Sequence, residues 1–79
     1  MTRGAGPAAH ILMDQCPTDR RARAEAIVRD ALRGRDPGES WFVTLHRFPG
    51  GWDVFVEGPD RDLREVIAAS LRTAGFGRR

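Results

Sequence analysis

The residue of this chain best placed for chemistry is its single cysteine, Cys16. It follows a short apolar run, His10 to Asp14, and it precedes Thr18, which can cap a helix. Backbone N–H groups at a helix amino terminus favour the thiolate, and Arg20 and Arg21 would add to that effect. However, the chain has no second cysteine for a redox pair, and the spacing to an arginine is not that of a phosphatase loop. An unreactive buried thiol is the favoured interpretation, and a reactive thiol is the alternative.

The histidines and acidic residues show no spacing typical of a catalytic or metal site. His10, Asp14, Cys16 and His46 could supply ligands, but their separation does not match that of zinc ligands. The acidic residues that follow Gly58 are placed as helix-start residues rather than as a general acid–base pair. No glycine-rich phosphate loop is present either. We therefore expect no metal, no cofactor and no enzymatic activity.

The basic residues are unusual because all 13 are arginine, while 11 acidic residues reduce the net charge to +2. Guanidinium groups bind phosphates well, so clustered arginines could indicate nucleic-acid binding. Biased codon usage is the plainer explanation for the absence of lysine. Acidic residues on the same predicted helix also favour an ordinary solvated face. The candidate phosphate-binding residues are Arg20, Arg21, Arg23, Arg29, Arg33 and Arg47.

Two short strands joined near Pro49 form the centre of the predicted fold. If Gly50-Gly51 is a two-residue turn, Leu45 faces Val56 and the apolar side chains collect on one face. If a three-residue loop begins at Pro49, Leu45 faces Phe55 instead and both faces become mixed. Segregation of the apolar residues favours the two-residue turn, so we predict that register.

In the predicted register, the second face of the hairpin carries aromatic rings that two helices on the first face do not cover. An exposed apolar patch on a small domain usually marks an interface. The patch could bind a second copy of the chain, another protein, or the bases of single-stranded nucleic acid. The alternative is that register, strand twist or the leader covers the rings. The predicted protein-interface residues are Phe42, His46, Phe48 and Phe55.

The remaining elements follow from apolar spacing and capping residues. Residues 1–8 read as a disordered leader, and residues 77–79 as a frayed tail. Between them lies a single domain, residues 9–76. Its first helix begins at Thr18, and its second is capped by Asp60 and ends at Gly75. The predicted apolar stripe of the first helix is Ala24, Ile27, Val28, Ala31 and Leu32, and that of the second is Leu63, Val66, Ile67, Leu71 and Ala74.

The predicted order is strand, helix, strand, strand, helix, which is an α+β fold with a three-stranded mixed sheet and both helices on one face. A crossover between parallel strands leaves a slot that the third strand, Trp52 to Glu57, can fill at the centre of the sheet. This arrangement resembles a truncated ferredoxin-like split βαβ unit. Without the first strand, it resembles a double-stranded-RNA-binding domain that lacks a strand. Such topological resemblance implies no function.

Length and composition limit the classes of function. A chain of 79 residues buries only about 60 to 65% of its unfolded surface, so its core is thin and dimerisation is a natural source of stability. No apolar run is long enough to cross a membrane, and we expect a cytoplasmic protein. The sequence therefore predicts a small non-enzymatic module that associates with itself or docks a protein partner, with nucleic-acid binding as the alternative.

Overall fold

The structure is a computed structural model that describes residues 7–14 and 18–77. It confirms the predicted α+β layout of strand, helix, strand, strand, helix around a three-stranded mixed sheet. The elements are β1 (Ala8–Asp14), α1 (Thr18–Ala31), β2 (Ser40–Phe48), β3 (Gly51–Glu57) and α2 (Arg61–Thr73).

The strand order is β1-β2-β3, so the prediction that β3 lies at the centre is wrong. β2 pairs with β1 in parallel and with β3 in antiparallel orientation. Three side chains of β2 are buried, but only one of β3 is, and the most buried strand takes the centre. The outer edge of β3 is also occupied, because Trp52 N donates a hydrogen bond to Gly77 O at 3.1 Å. The resemblance to a split βαβ unit therefore does not extend to the strand order.

The hairpin register differs from both predicted alternatives. Its turn residues are Pro49-Gly50, and Leu45 pairs with Val54 rather than with Val56 or Phe55. Proline suits the first turn position because its ring fixes φ near the value needed there. The pairing is shifted by two residues from that of the predicted two-residue turn. Because side chains alternate between faces with a period of two, this shift leaves every side chain on its predicted face. The predicted segregation of the apolar side chains onto one face is therefore confirmed.

Both helices pack on the sheet face that carries Trp41. The amino-terminal half of the chain contributes Met13 from β1 and the apolar stripe of α1 to the core. The carboxyl-terminal half contributes the apolar stripe of α2. The predicted stripe of α2 is correct except at Val66, which is 53% exposed. The buried core consists of Met13, Ala24, Val28, Leu32, Trp41, Val43, Leu45, Trp52, Ile67, Leu71 and Phe76.

The ends of α2 form as predicted. Asp60 is the N-cap, and its Oδ1 accepts a hydrogen bond from Leu63 N at 3.1 Å. At the other end Gly75 has φ 106°, which favours glycine, and Phe76 N donates to Leu71 O at 2.9 Å. This turn buries the Phe76 ring completely.

The chain ends add two details. β1 begins at Ala8, one residue before the predicted start of the domain, and Pro7 is buried. Gly77 is held at the edge of β3 by the hydrogen bond from Trp52. The other residues of the predicted leader and tail, 1–6 and 78–79, lie outside the described residues. Neither described helix has the length and apolar character needed to cross a membrane.

Candidate protein-interaction site

The sheet face opposite the helices, called the open face below, carries the four predicted interface residues. Strand alternation places them there together with side chains from all three strands. The described side chains of the open face are His10, Leu12, Ser40, Phe42, Thr44, His46, Phe48, Asp53, Phe55 and Glu57.

Three large apolar side chains of the open face are exposed to solvent. Phe42 is 47% exposed, Phe55 is 59% exposed, and Leu12 is 68% exposed. Phe48 is half-buried, and His46 is exposed. Register and strand twist therefore leave Phe42 and Phe55 exposed, while most of the leader that could cover them, residues 1–6, lies outside the described residues. These side chains form an apolar surface across all three strands.

One ring pair gives the open face a defined shape. His10 of β1 and Phe42 of β2 are register partners, and their rings stack with centroids 5.1 Å apart and planes inclined by 17°. Stacking against a neighbouring strand restricts the rotation of both side chains.

The charges of the open face are acidic rather than basic. Asp53 and Glu57 lie on β3, and none of the arginines in the described chain lies on this face. A nucleic-acid strand that stacked its bases here would place its phosphates near carboxylates and find no guanidinium to neutralise them. The open face is thus better suited to a protein surface than to a nucleic acid.

The candidate phosphate-binding arginines lie elsewhere, and the first of them, Arg20, has a structural role. Its Nη2 donates a hydrogen bond to Gly75 O at 3.1 Å, and its Cζ lies 4.6 Å from the centre of the Phe76 ring. Arg20 therefore fastens the start of α1 to the end of α2.

The other arginines of α1 face solvent. Arg21, Arg23 and Arg29 are exposed. Arg33, which follows α1, pairs with Asp30 at 3.2 Å, and both side chains are more than 70% exposed. An ion pair with this exposure contributes little stability. Because α1 packs on the opposite face of the sheet, these guanidinium groups and the open-face rings cannot contact one short stretch of nucleic acid.

Arg47 lies at the hairpin end of β2. It is the register partner of Trp52, and its Cζ lies 5.9 Å from the centre of the Trp52 ring. It therefore belongs to the helix-covered side of the sheet and shields the edge of the core.

Sequence reasoning did not identify a polar network at the start of β2. Arg35 donates to both carboxylate oxygens of Glu39, at 3.1 and 2.9 Å, and also pairs with Asp60 at 3.2 Å. Glu39 accepts a further hydrogen bond from Trp41 Nε1 at 3.0 Å. The hydrogen bonds that Arg35 donates to Glu39 raise the pKa of Arg35, although the guanidinium is charged at any accessible pH in either case. The signal in the sequence is the spacing of four between Arg35 and Glu39.

The remaining chemical candidates are not assembled into a site. No group of three His, Cys, Asp or Glu side chains that could hold a metal ion occurs within residues 7–14 and 18–77. Cys16, and with it the choice between a reactive and a buried thiol, lies outside the described residues. A groove of about 240 Å³ between β1 and α1 is lined by both Glu25 and Arg29, so its charge selects neither an anion nor a cation.

Sequence reasoning also missed two members of the open face, His10 and Leu12. Both alternate along β1 with the half-buried Ala9 and Ile11 and the buried Met13. The alternation signal was therefore present in the run from His10 to Asp14. It could be assigned to a face only once the pairing of β1 with β2 was known.

The comparisons with known proteins assign no family to the chain. No family model matches it, and no curated protein or solved structure is significantly similar to it. Its function is therefore inferred from the geometry of the open face.

Proposed function

We propose that this protein is a small non-enzymatic interaction module that buries its open face against a protein surface, either its own or that of a partner. The observation that carries the proposal is the exposure of Leu12, Phe42 and Phe55 on one continuous face. Removing such side chains from water yields roughly 25 cal/mol per Å² of apolar surface. Since the domain is small, the same burial would also stabilise its fold.

The absence of arginine from the described open face supports a protein ligand over a nucleic acid. A protein interface has an apolar centre with aromatic side chains and a polar rim. The open face has this arrangement, with Phe42 near its middle and Glu57 on an edge strand. We include a reducing, cytoplasmic setting in the proposal because the sequence contains a single cysteine.

The proposal is tested by sedimentation velocity on the wild type and on two charge-introducing variants. We expect the weight-average mass of the wild type to rise with concentration over roughly 5 to 500 µM, the range typical of small interfaces. Phe55→Glu places an unpaired charge in the interface and should weaken association at least about tenfold. Val66→Glu is the matched control, because Val66 is similarly exposed but lies on α2. It should associate like the wild type.

Two outcomes would count against the proposal. Association that survives Phe55→Glu would mean that another surface mediates it. A wild type that is monomeric at every concentration would rule out self-association. Docking of a different protein would then have to be shown by a partner that binds Val66→Glu but does not bind Phe55→Glu.

Nucleic-acid binding is the second candidate, and only the exposed arginines of α1 support it. Arg21, Arg23 and Arg29 are exposed and could contact a phosphate backbone. Retention on single- or double-stranded nucleic acid that falls steeply with salt would support this function. Lack of retention at low salt would exclude it.

A further inference from the structure

The pairing of the three strands arranges the open face in rows that run across the sheet. Each row takes one side chain from each strand, and the register fixes its members. The first row is His10, Phe42 and Glu57, and the second is Leu12, Thr44 and Phe55; beyond them His46 of β2 pairs with Asp53 of β3. In the first row, β1 carries an imidazole and β3 carries a carboxylate. In the second row, both edge strands carry apolar side chains.

We propose that the occupant of the open face is a second copy of this chain, related by a twofold axis that runs along β2 between the two sheets, so that His10 of each copy meets Glu57 of the other. This inference rests on the proposed function and names its partner. Twofold dimers are the commonest oligomers, and they use the same surface on both copies. Two sheets that pack face to face lie about 10 Å apart with their strands within about 30° of parallel.

The geometry of this axis determines which side chains meet. Rotation about β2 exchanges β1 with β3 and keeps each row at its own height along the strands. Leu12 therefore packs on Phe55 of the second copy, and Phe42 packs on its own symmetry mate. The exposed apolar side chains of the open face are buried together in one contact.

The charges of the first row select the second copy as partner. His10 lies opposite Glu57 of the second copy, and an imidazole N–H can donate to a carboxylate in either protonation state. Stacking on Phe42 already holds the His10 ring in place. The contact occurs twice, once on each side of the axis. A face that carries a donor on one edge and an acceptor on the opposite edge at the same height is complementary to itself.

A twofold axis that crosses the strands at the first or the second row brings carboxylates together, and one midway between these rows sets the Glu57 carboxylate against the Phe55 ring. If it passed through the first row, it would place Glu57 against Glu57. If it passed through the second row, it would place Glu57 against Asp53. Like charges facing each other at an interface cost several kcal/mol. The axis along β2 sets no carboxylate of the first two rows against another carboxylate. We therefore centre the contact on the first two rows.

The size of the open face predicts a weak dimer. Three strands spaced about 4.8 Å apart and seven residues long, at about 3.3 Å per residue, give a flat area of about 330 Å² per copy. Two such faces amount to about 660 Å² of flat area, which is below the roughly 1,000 Å² of a stable complex and corresponds to a weak, transient one. We expect a dissociation constant on the order of 50 µM.

A charge exchange tests the pairing of His10 with Glu57. His10→Glu should weaken self-association about tenfold, because its homodimer has two contacts between carboxylates. Glu57→Arg should also weaken it, because the acceptor for the His10 N–H is lost from both contacts. In an equimolar mixture one contact of the mixed dimer joins the two introduced, opposite charges, and the other keeps the wild-type pair of His10 with Glu57. The mixed dimer should therefore be at least as tight as the wild-type dimer. Sedimentation velocity with a fluorescent label on one variant measures the mixed dimer directly.

Glu65→Arg is the matched control, since Glu65 is exposed on α2 and its substitution changes the net charge by the same amount. Its mixed dimer with His10→Glu keeps one contact between carboxylates, so it should stay weaker than the wild-type dimer. If His10→Glu or Glu57→Arg loses the circular dichroism spectrum of the wild type, Leu12→Glu with Phe55→Arg tests the second row in the same way. These two side chains also meet across the proposed axis.

The outcomes separate this inference from the proposed function. A mixture no tighter than its components, with wild-type association still abolished by Phe55→Glu, would overturn the arrangement and leave the open face as the docking surface. A wild type that never associates would overturn the second copy as occupant. A mixed dimer of wild-type affinity in the charge exchange, and a weaker one in the Glu65→Arg control, would support both the pairing and the open face as the docking surface.

Discussion

Trp41 is the largest side chain that the fold buries completely, and it constrains residues on both sides of it. Its Nε1 donates to Glu39, and a Cβ atom on Gly58 would overlap atoms of its six-membered ring. The φ angle of Gly58 lies outside the left-handed region, so the requirement for glycine arises from space and not from backbone conformation. The residue after β3 is therefore determined by the packing of a residue at the start of β2.

Gly58→Ala should destabilise the domain by about 1 to 3 kcal/mol, because an added methyl group must displace a buried ring. Gly38→Ala is the matched control, since the nearest atom to its added Cβ is Asp36 Oδ1 at 3.4 Å. That variant should stay within about 0.5 kcal/mol of the wild type. Urea unfolding followed by tryptophan fluorescence measures both. Equal stability of the two variants would show that Trp41 can shift at little cost.

At the residue scale, the sequence predicted which types of side chain matter better than it predicted their roles. The arginines looked alike as candidates for phosphate binding, yet Arg20 caps the end of α2 and Arg35 bridges Glu39 and Asp60. Both roles depend on contacts between segments distant in the sequence. Arg20 lies 55 residues from its acceptor, and no local pattern encodes that separation.

At the element scale, the helices and the face assignment of the hairpin could be predicted, but the strand order and the turn could not. The periodicity of the strands fixes only which side chains share a face, and a shift of two residues leaves that unchanged. The turn depends on Pro49, whose fixed φ suits the first turn position. One signal for the order was present, because β3 places Asp53 and Glu57 on the open face, and charged residues are typical of edge strands.

The start of α2 offers a test of what the capping aspartate contributes. Asp60 accepts the hydrogen bond from Leu63 N and also pairs with Arg35, a bond that ties α2 to the connection before β2. Asp60→Ala removes both contacts and should cost about 1 kcal/mol. Asp60→Asn keeps the capping acceptor and loses only the charge. It should lower the free energy of unfolding by a few tenths of a kcal/mol, because partly exposed ion pairs contribute little.

Thermal unfolding followed by circular dichroism at the helix band measures both Asp60 variants. If Asp60→Asn is as unstable as Asp60→Ala, the contact with Arg35 and not the cap holds the start of α2. Glu65→Gln provides a reference for removing a carboxylate from α2 without touching the cap, and it should have little effect.

At the scale of the whole molecule, the fold is a two-layer arrangement with helices on one side of the sheet only. The covered side contains a single core, and the open face leaves Phe42 and Phe55 in water. Two copies joined through their open faces would give four layers, with helices outside and sheets inside. Every sheet face would then be covered, as is usual in stable domains.

This arrangement links association to the stability of the fold. A partner that binds only the folded state stabilises it by mass action, and the effect grows with concentration. For a dissociation constant of roughly 50 µM, raising the concentration from about 5 to about 500 µM should add about 1 kcal/mol, or about 5 °C in the unfolding midpoint. The midpoint of Phe55→Glu should not change with concentration, and that of Val66→Glu should follow the wild type. Concentration-independent midpoints in all three proteins would show that the open face is not buried in the folded state at these concentrations, because burial there must add to stability.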